Sequence, residues 1–174
     1  MALLARVGIA AWLALSGALL APGEALAQGA PDDAARATFL LVLGKYVTWP
    51  VGAFKSPTAP IVVAVVGNAG LVAELESLAR GQQIQGRGIE IRAASDPAAC
   101  ASAHIVFVSD AAQSSALASA QPLRVFEGPR HLADTDIAIR MQAGRIAFSV
   151  NRKDVTRRGI KLSSKLMRLA SSFE

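Results

Sequence analysis

Hydrophobic positions along the chain change period several times, and each change marks an element. Ala35, Phe39, Leu43, Tyr46 and Val47 recur at helical spacing. Leu40, Leu41 and Val42 widen that face until little is polar except Arg36, Thr38 and Lys45. Asp32 and Asp33 follow Pro31, at a place where a helix start favours negative charge and tolerates proline, so a largely buried helix is predicted to begin there. Pro50 moves Trp49 out of the α region. The helix therefore ends within Gly44 to Pro50, and Trp49 sits on an extended segment after it.

Ile61 to Val66 is continuous, mostly β-branched and closed by Gly67, the pattern of a strand buried on both faces. Leu71 to Arg80 has helical spacing, Gly81 to Gly88 reads as a Gly/Gln loop, and Ile89 to Arg92 as a short strand. A helical turn at Pro97 to Ala101 leads to a strand at Ile105 to Ser109. An Ala/Ser-rich helix at Ala111 to Ala120 and a strand at Leu123 to Phe126 come next. This alternation predicts a mainly parallel sheet with flanking helices. The period then becomes two. Ile137, Ile139 and Met141 alternate with polar partners, Gln142-Ala143-Gly144-Arg145 turns the chain, and Ile146, Phe148 and Val150 alternate again, which gives a C-terminal antiparallel hairpin. Leu162, Leu166, Leu169 and Phe173 lie at helical spacing with Lys161, Lys165 and Arg168 one position earlier. They predict a terminal amphipathic helix with an apolar stripe beside a basic one and Ser163 or Ser164 as its cap. The fold class is α/β in a single domain.

Met1 to Ala27 stands apart from this pattern. One early cation, Arg6, precedes an apolar run from Val7 to Leu20 and an Ala25-Leu26-Ala27 ending, which together read as a secretory signal peptide cleaved after Ala27. A membrane anchor is the rival, but the run is shorter than the roughly 20 residues a span needs. The expected organisation is residues 1–27 as leader and 28–174 as the folded domain. The net charge of +5 survives removal of Arg6 and Glu24 and is concentrated from Arg152 to Arg168, where seven Lys/Arg face the single Asp154. In an exported protein such a segment points to an acidic protein face, an anionic lipid surface or plain solvation before it points to nucleic acid. The single cysteine, Cys100, excludes an intramolecular disulfide, so the core holds the fold alone.

Chemistry-bearing motifs are sparse. Gly67-Asn68-Ala69-Gly70 joins a strand to a helix but completes neither a dinucleotide nor a P-loop fingerprint, and tight-turn chemistry explains its glycines. His104 and His131 have no second ligand at metal spacing, and no serine lies in a nucleophile elbow. His104 reads as a satisfied edge residue. No catalytic, cofactor-binding or metal-binding residue is expected, and a hydrolase has no local signature behind it. The residues expected to meet a partner are Lys161, Lys165 and Arg168 on the basic stripe, and Tyr46 and Trp49, whose rings need polar partners for their OH and NH.

Several stretches occur in a telling order: "KYVTWP" at the end of the first helix, "VVGN" closing the apolar strand, "HIVFVS", the hairpin "IAIRMQAGRIAFSVN" and the ending "GIKLSSKLMRLA". Together they resemble the YfiR family of exported bacterial proteins over roughly Ala34 to Ala170. The resemblance implies a periplasmic α/β regulator, with no enzymatic activity and no cofactor, in cyclic di-GMP signalling and biofilm control. The best-known type binds the periplasmic sensor part of an inner-membrane diguanylate cyclase and holds it inactive, while relatives resemble sensory modules attached to signalling kinases. The implied partner is therefore an inner-membrane diguanylate cyclase or other membrane sensor protein. A homodimer and a small-molecule ligand, the latter making the chain a ligand-binding sensory module, stay open as alternatives. Two departures stand out. Regulation through paired cysteines does not carry over to a chain with Cys100 alone, and Asp134 to Asp136 stands where the family approaches the hairpin through glycines.

Overall fold

The computed structural model describes residues 30–95, 97–109, 123–128 and 135–171. The helix predicted for Ala111–Ala120, His131, Asp134 and Phe173 lie outside those residues. The chain opens with helix α1 (Ala30–Lys45), strand β1 (Val47–Thr48), β2 (Ile61–Val66) and α2 (Ala69–Ala79). Strands β3 (Gln83–Ile84) and β4 (Arg87–Ala94), a 3₁₀ turn at Pro97–Cys100, β5 (Ile105–Val108) and β6 (Leu123–Glu127) come next. The hairpin β7 (Ile137–Gln142) and β8 (Arg145–Val150), α3 (Arg152–Arg157), β9 (Lys161–Leu162) and α4 (Ser164–Leu169) complete the described elements.

Among the described residues, seven strands form one sheet in the order β3-β4-β2-β5-β6-β7-β8, and β1 pairs with β9 in a separate two-stranded ribbon. Strand β2 is central, parallel to both β4 and β5, and β5, β6 and β7 continue the parallel run before β8 returns antiparallel. All six residues of β2 are buried, as a continuous apolar run requires. Ile61, Val63 and Val65 join Leu40 and Leu43 of α1, Leu71 and Leu75 of α2, and Phe107 in the larger core. Val62, Ala64 and Val66 join Cys100, Val106 and Val108 in a smaller cluster of their own. Each large aliphatic side chain sealed in this way contributes about 1.5–3 kcal/mol.

Helix α1 begins where the acidic first turn predicts, and its Ala37, Leu40 and Leu43 are fully buried. Val42 is exposed, so the apolar band of α1 is wider than its buried face. Helix α2 starts ahead of its apolar spacing, because the Asn68 side chain caps it by accepting from the Leu71 amide at 2.9 Å. Gly67 adopts φ +75 to make that turn.

Three expectations are corrected. The stretch Gly81–Gly88, read as a loop, carries β3 antiparallel to β4. Gln85 and Gly86 turn that hairpin with φ of +54 and +74, a primed turn without the usual Asn-Gly signal. Strand β4 is accordingly longer than Ile89 to Arg92. The third correction concerns the terminal helix. Leu162 is not helical, because Lys161–Leu162 pairs antiparallel with Val47–Thr48 and Ser163, at ψ 148, is the extended cap whose hydroxyl accepts from the Leu166 amide. Ala170, also extended, stops the helix after Leu169. Only Leu166 is buried in it, Leu162 is half-buried on its strand, and Leu169 is 70% exposed, so the three leucines do not share one buried face. The six-residue α3, capped by Asn151, falls in the basic segment, where the apolar spacing predicts no helix of its own.

Asp136 ties the hairpin to the strand before it and to α3 after it. Its carboxylate, fully buried, accepts from the Arg124 backbone amide at 2.7 Å and from the Arg124 guanidinium, and is also ion-paired with Arg158 just after α3. Its own amide donates to the Arg124 carbonyl, and its carbonyl accepts from Asn151, the cap of α3.

Leu166→Ala should lower stability by about 2–5 kcal/mol, while Leu169→Ala should change it by less than about 0.5 kcal/mol. Chemical denaturation of the two variants separates this arrangement from a uniformly buried leucine stripe. Asp136→Asn should cost about 3–5 kcal/mol, because it leaves two arginines without their counter-charge. A thermal melt close to that of the parent chain would show that the ion cluster is not a stabilising tie.

Candidate partner-binding face and cavity

The β1–β9 ribbon forms because both segments are held extended from outside. Pro50 stops helix α1 from running on, and Gln85 fixes its end by donating from Nε2 to the Gly44 and Val47 carbonyls at 3.1 and 2.7 Å. On the other strand, Gly159 at φ +73 turns the chain out of α3, and a Cβ there would come within 3.3 Å of Pro50. Ile160, buried, then leads into Lys161 and Leu162, whose register places Leu162 opposite Val47 and Lys161 opposite Thr48. The Ser163 amide donates to the Tyr46 carbonyl at 2.9 Å, which closes the pairing.

The ribbon brings the two groups of sequence-predicted residues together. Tyr46 precedes β1 and is half-buried against the larger core, and Trp49 comes after β1 with its ring also half-buried. Lys161 lies on β9, and Lys165 and Arg168 lie on α4; all three are exposed and none is ion-paired among the described residues. The basic segment is less uniform than its composition, since Arg157 pairs with Asp154 and Arg158 with Asp136.

Trp49 also faces a cavity of about 580 Å³ between the loop of residues 50–60, the start of β2, the middle of β4 and the approach to β5. Arg92, Glu90, Ser102, Lys55 and His104 bring polar atoms to its wall. Arg92 is held by Glu90 at 2.5 Å and by the Ser102 hydroxyl at 2.8 Å. The Trp49 Nε1 is buried and meets no acceptor among the described residues.

His104 is satisfied, as expected, but it is not at an edge, since the strand it leads into, β5, lies inside the sheet between β2 and β6. Its Nδ1 accepts from the Val62 amide at 3.0 Å and its Nε2 lies 3.1 Å from the Ala53 carbonyl. Its ring stacks on Phe54 with centroids 4.4 Å apart and meets the Trp49 ring edge-on at 5.6 Å. The Arg87 guanidinium sits 3.7 Å from the centre of the Phe54 ring and donates to the Ser56 and Ala59 carbonyls. Sequence reasoning misses Phe54, Arg87 and the role of His104, because these partners are separated by tens of residues and share no periodic signal. The need of Trp49 for a polar partner is the one clue.

At the far end of α1, Arg36 makes a bidentate pair with Glu127 of β6, at 2.8 and 2.7 Å, and a further bond to Asp33. The Glu127 carboxylate first, and then Asp33, hold the Arg36 guanidinium above its ordinary pKa against the opposing effect of burial. This network is a fastening between helix and sheet. Among the described residues no group of three or more His, Cys, Asp or Glu is placed to hold a metal ion, and no helix is long and apolar enough to cross a membrane.

A family model described as YfiR/HmsC-like matches residues 33–171, which covers all of the elements described above except the opening residues of α1. No curated protein matches the chain. Order of motifs, α/β architecture and family model agree, and the chain belongs to the YfiR/HmsC-like family, whose members are periplasmic regulators of diguanylate cyclase signalling rather than enzymes.

Proposed function

We propose that the chain, exported by a leader at residues 1–27, docks on the periplasmic sensor domain of an inner-membrane diguanylate cyclase or an equivalent membrane sensor. By docking it holds that protein inactive and lowers cyclic di-GMP. The reading is supported by the β1–β9 ribbon, in which Thr48, between Tyr46 and Trp49, is paired with the exposed Lys161, and β9 leads directly into α4 with its exposed Lys165 and Arg168. Aromatic anchors with a charged rim are the usual composition of a protein interface, and unpaired cations favour an acidic partner. Repression then results if the docked chain prefers the inactive conformation of the sensor.

A second reading is favoured by one atom. The buried Trp49 Nε1 is a donor without an acceptor among the described residues, at the wall of a cavity large enough for a small molecule, so a ligand that accepts there would satisfy it. The two readings are compatible, with the ligand setting the affinity for the membrane partner.

The double change Lys165→Glu with Arg168→Glu should alter stability by no more than about 1 kcal/mol, since isolated surface charges contribute little. It should weaken co-purification of the tagged chain with its membrane partner by about tenfold, an interfacial effect of roughly 1.4 kcal/mol, with cellular cyclic di-GMP rising as repression is lost. A folded variant that binds and represses normally would move the docking surface off this face. For the second reading, small carboxylates and amides should shift Trp49 emission and raise the melting temperature. Trp12 lies in the leader, so Trp49 is the single reporter in the processed chain. Unchanged emission and melting across such compounds would remove the cavity from consideration.

A further inference from the structure

The loop of residues 50–60 forms one wall of the cavity and is fastened from outside by two side chains. Arg87 grips the carbonyls of Ser56 and Ala59, and His104 grips the carbonyl of Ala53. An arginine keeps its charge throughout the biological pH range, whereas a histidine does not. The two bonds of the His104 ring fix its protonation. The Val62 amide can only donate, so Nδ1 must be the acceptor, and the Ala53 carbonyl can only accept, so Nε2 carries the proton. The ring is neutral in this arrangement. A second proton on Nδ1 would point at the Val62 N–H, donor against donor, and leave that amide without its partner.

The surroundings of the ring oppose the extra charge as well. Burial lowers its proton affinity most; the bond to Ala53 offsets part of that, Arg87 on β4 lowers it again, and Glu90 on β4 raises it. Glu90 is engaged by Arg92 on the same strand. Lys55 from the loop and Arg158, ion-paired with Asp136, also line the cavity, while Trp49 and Phe54, packed on the ring, bring no charge. The pKa of His104 in the folded chain thus lies below its ordinary 6.5. A lowered pKa means that the open or unfolded form binds the proton better. The closing contribution of His104 is therefore complete above about pH 6.5 and is lost as pH falls from there through the folded-state value.

We infer that His104 is a proton-operated latch on the loop of residues 50–60, which closes the cavity beside Trp49 when the ring is neutral and releases it on acidification. Released, the loop frees Phe54 from the ring and opens the side of the cavity that Trp49 and Ala53 line. The latch belongs to the chain itself, so its test needs neither a membrane partner nor a ligand, and its failure would leave the docking reading untouched.

Hydrogen exchange of the segment spanning residues 50–62, read by mass spectrometry between about pH 7.5 and pH 5.5, reports the latch directly. The reference is His104→Gln, whose side chain accepts and donates without titrating. After correction for intrinsic exchange, opening of this segment should rise in the parent chain by more than about twofold, up to a ceiling of about tenfold, and by less than about twofold in the variant. Equal pH responses in the two would overturn the proposal. If the variant does not fold, nuclear magnetic resonance of the parent ring decides. The latch requires the Nε2–H tautomer at neutral pH, titrating below 6.5 in step with the loop resonances. A ring that titrates at or above 6.5, or independently of the loop, overturns the proposal equally.

Discussion

The Asp136 carboxylate is the constraint on which the placement of the C-terminal third depends. A fully buried carboxylate is tolerable only when its charge and lone pairs are taken up, and Arg124 and Arg158 take them up from opposite directions in sequence. Arg124 belongs to β6 in the sheet, while Arg158 belongs to the segment leaving α3. Joining both to one residue at the start of β7 fixes where the chain emerges after the hairpin. From there Gly159 turns it past Pro50, and Lys161–Leu162 reaches Val47–Thr48 in register. The β1–β9 pairing on which the proposed docking face rests is thus positioned by a buried charge that is not itself part of that pairing.

The physics of each element decides how far it is legible in the chain. The continuous apolar run of β2, the alternation of β7 and β8 and the proline stop after α1 are local signals strong enough to survive in the fold, and all three are found where they are expected. Two-residue strands carry no period, so β1, β3 and β9 leave no trace in the pattern, and Gln85-Gly86 hides a primed turn behind an uncommon pair. The leucine spacing from Leu162 to Leu169 misleads because it runs across Ser163. A cap residue lies outside the helical conformation, so a helix that starts at Ser164 cannot include Leu162. The candidate residues themselves are legible as types, an aromatic pair and a basic stripe. The pairing of the two segments that carry them is not, because it depends on the Lys161–Thr48 register and on the bond from Ser163 to Tyr46.

Control through an internal disulfide is excluded in this chain, since Cys100 is its only cysteine and is fully buried in the smaller core cluster with Val62, Ala64 and Val106. Near the proposed docking face lie instead a short ribbon and a loop, each fastened by a few side chains. A two-stranded ribbon has little stability of its own and borrows it from Gln85, Ser163 and the packing of Val47. The neighbouring loop of residues 50–60 carries Val51 fully in solvent and is held from outside by Arg87 of β4 and by His104. Short elements fastened by a few side-chain bonds over a core contact can open locally without global unfolding, which is where a regulator's moving parts are expected.

The energy that such parts can transmit has a ceiling. One proton on His104 can bias the loop only by the difference in its affinity for the closed and open forms, about 1.4 kcal/mol for each unit by which the two pKa values differ. Moving an equilibrium from almost fully closed to almost fully open takes about 5.5 kcal/mol. A single histidine shifted by desolvation therefore grades the loop population and does not by itself switch it. A sharp release from a membrane partner requires a second contribution in the same direction. The Trp49 Nε1, without an acceptor among the described residues, is placed to receive it, since a ligand that accepts from the indole and binds the opened loop more tightly adds that difference in binding energy to the proton's.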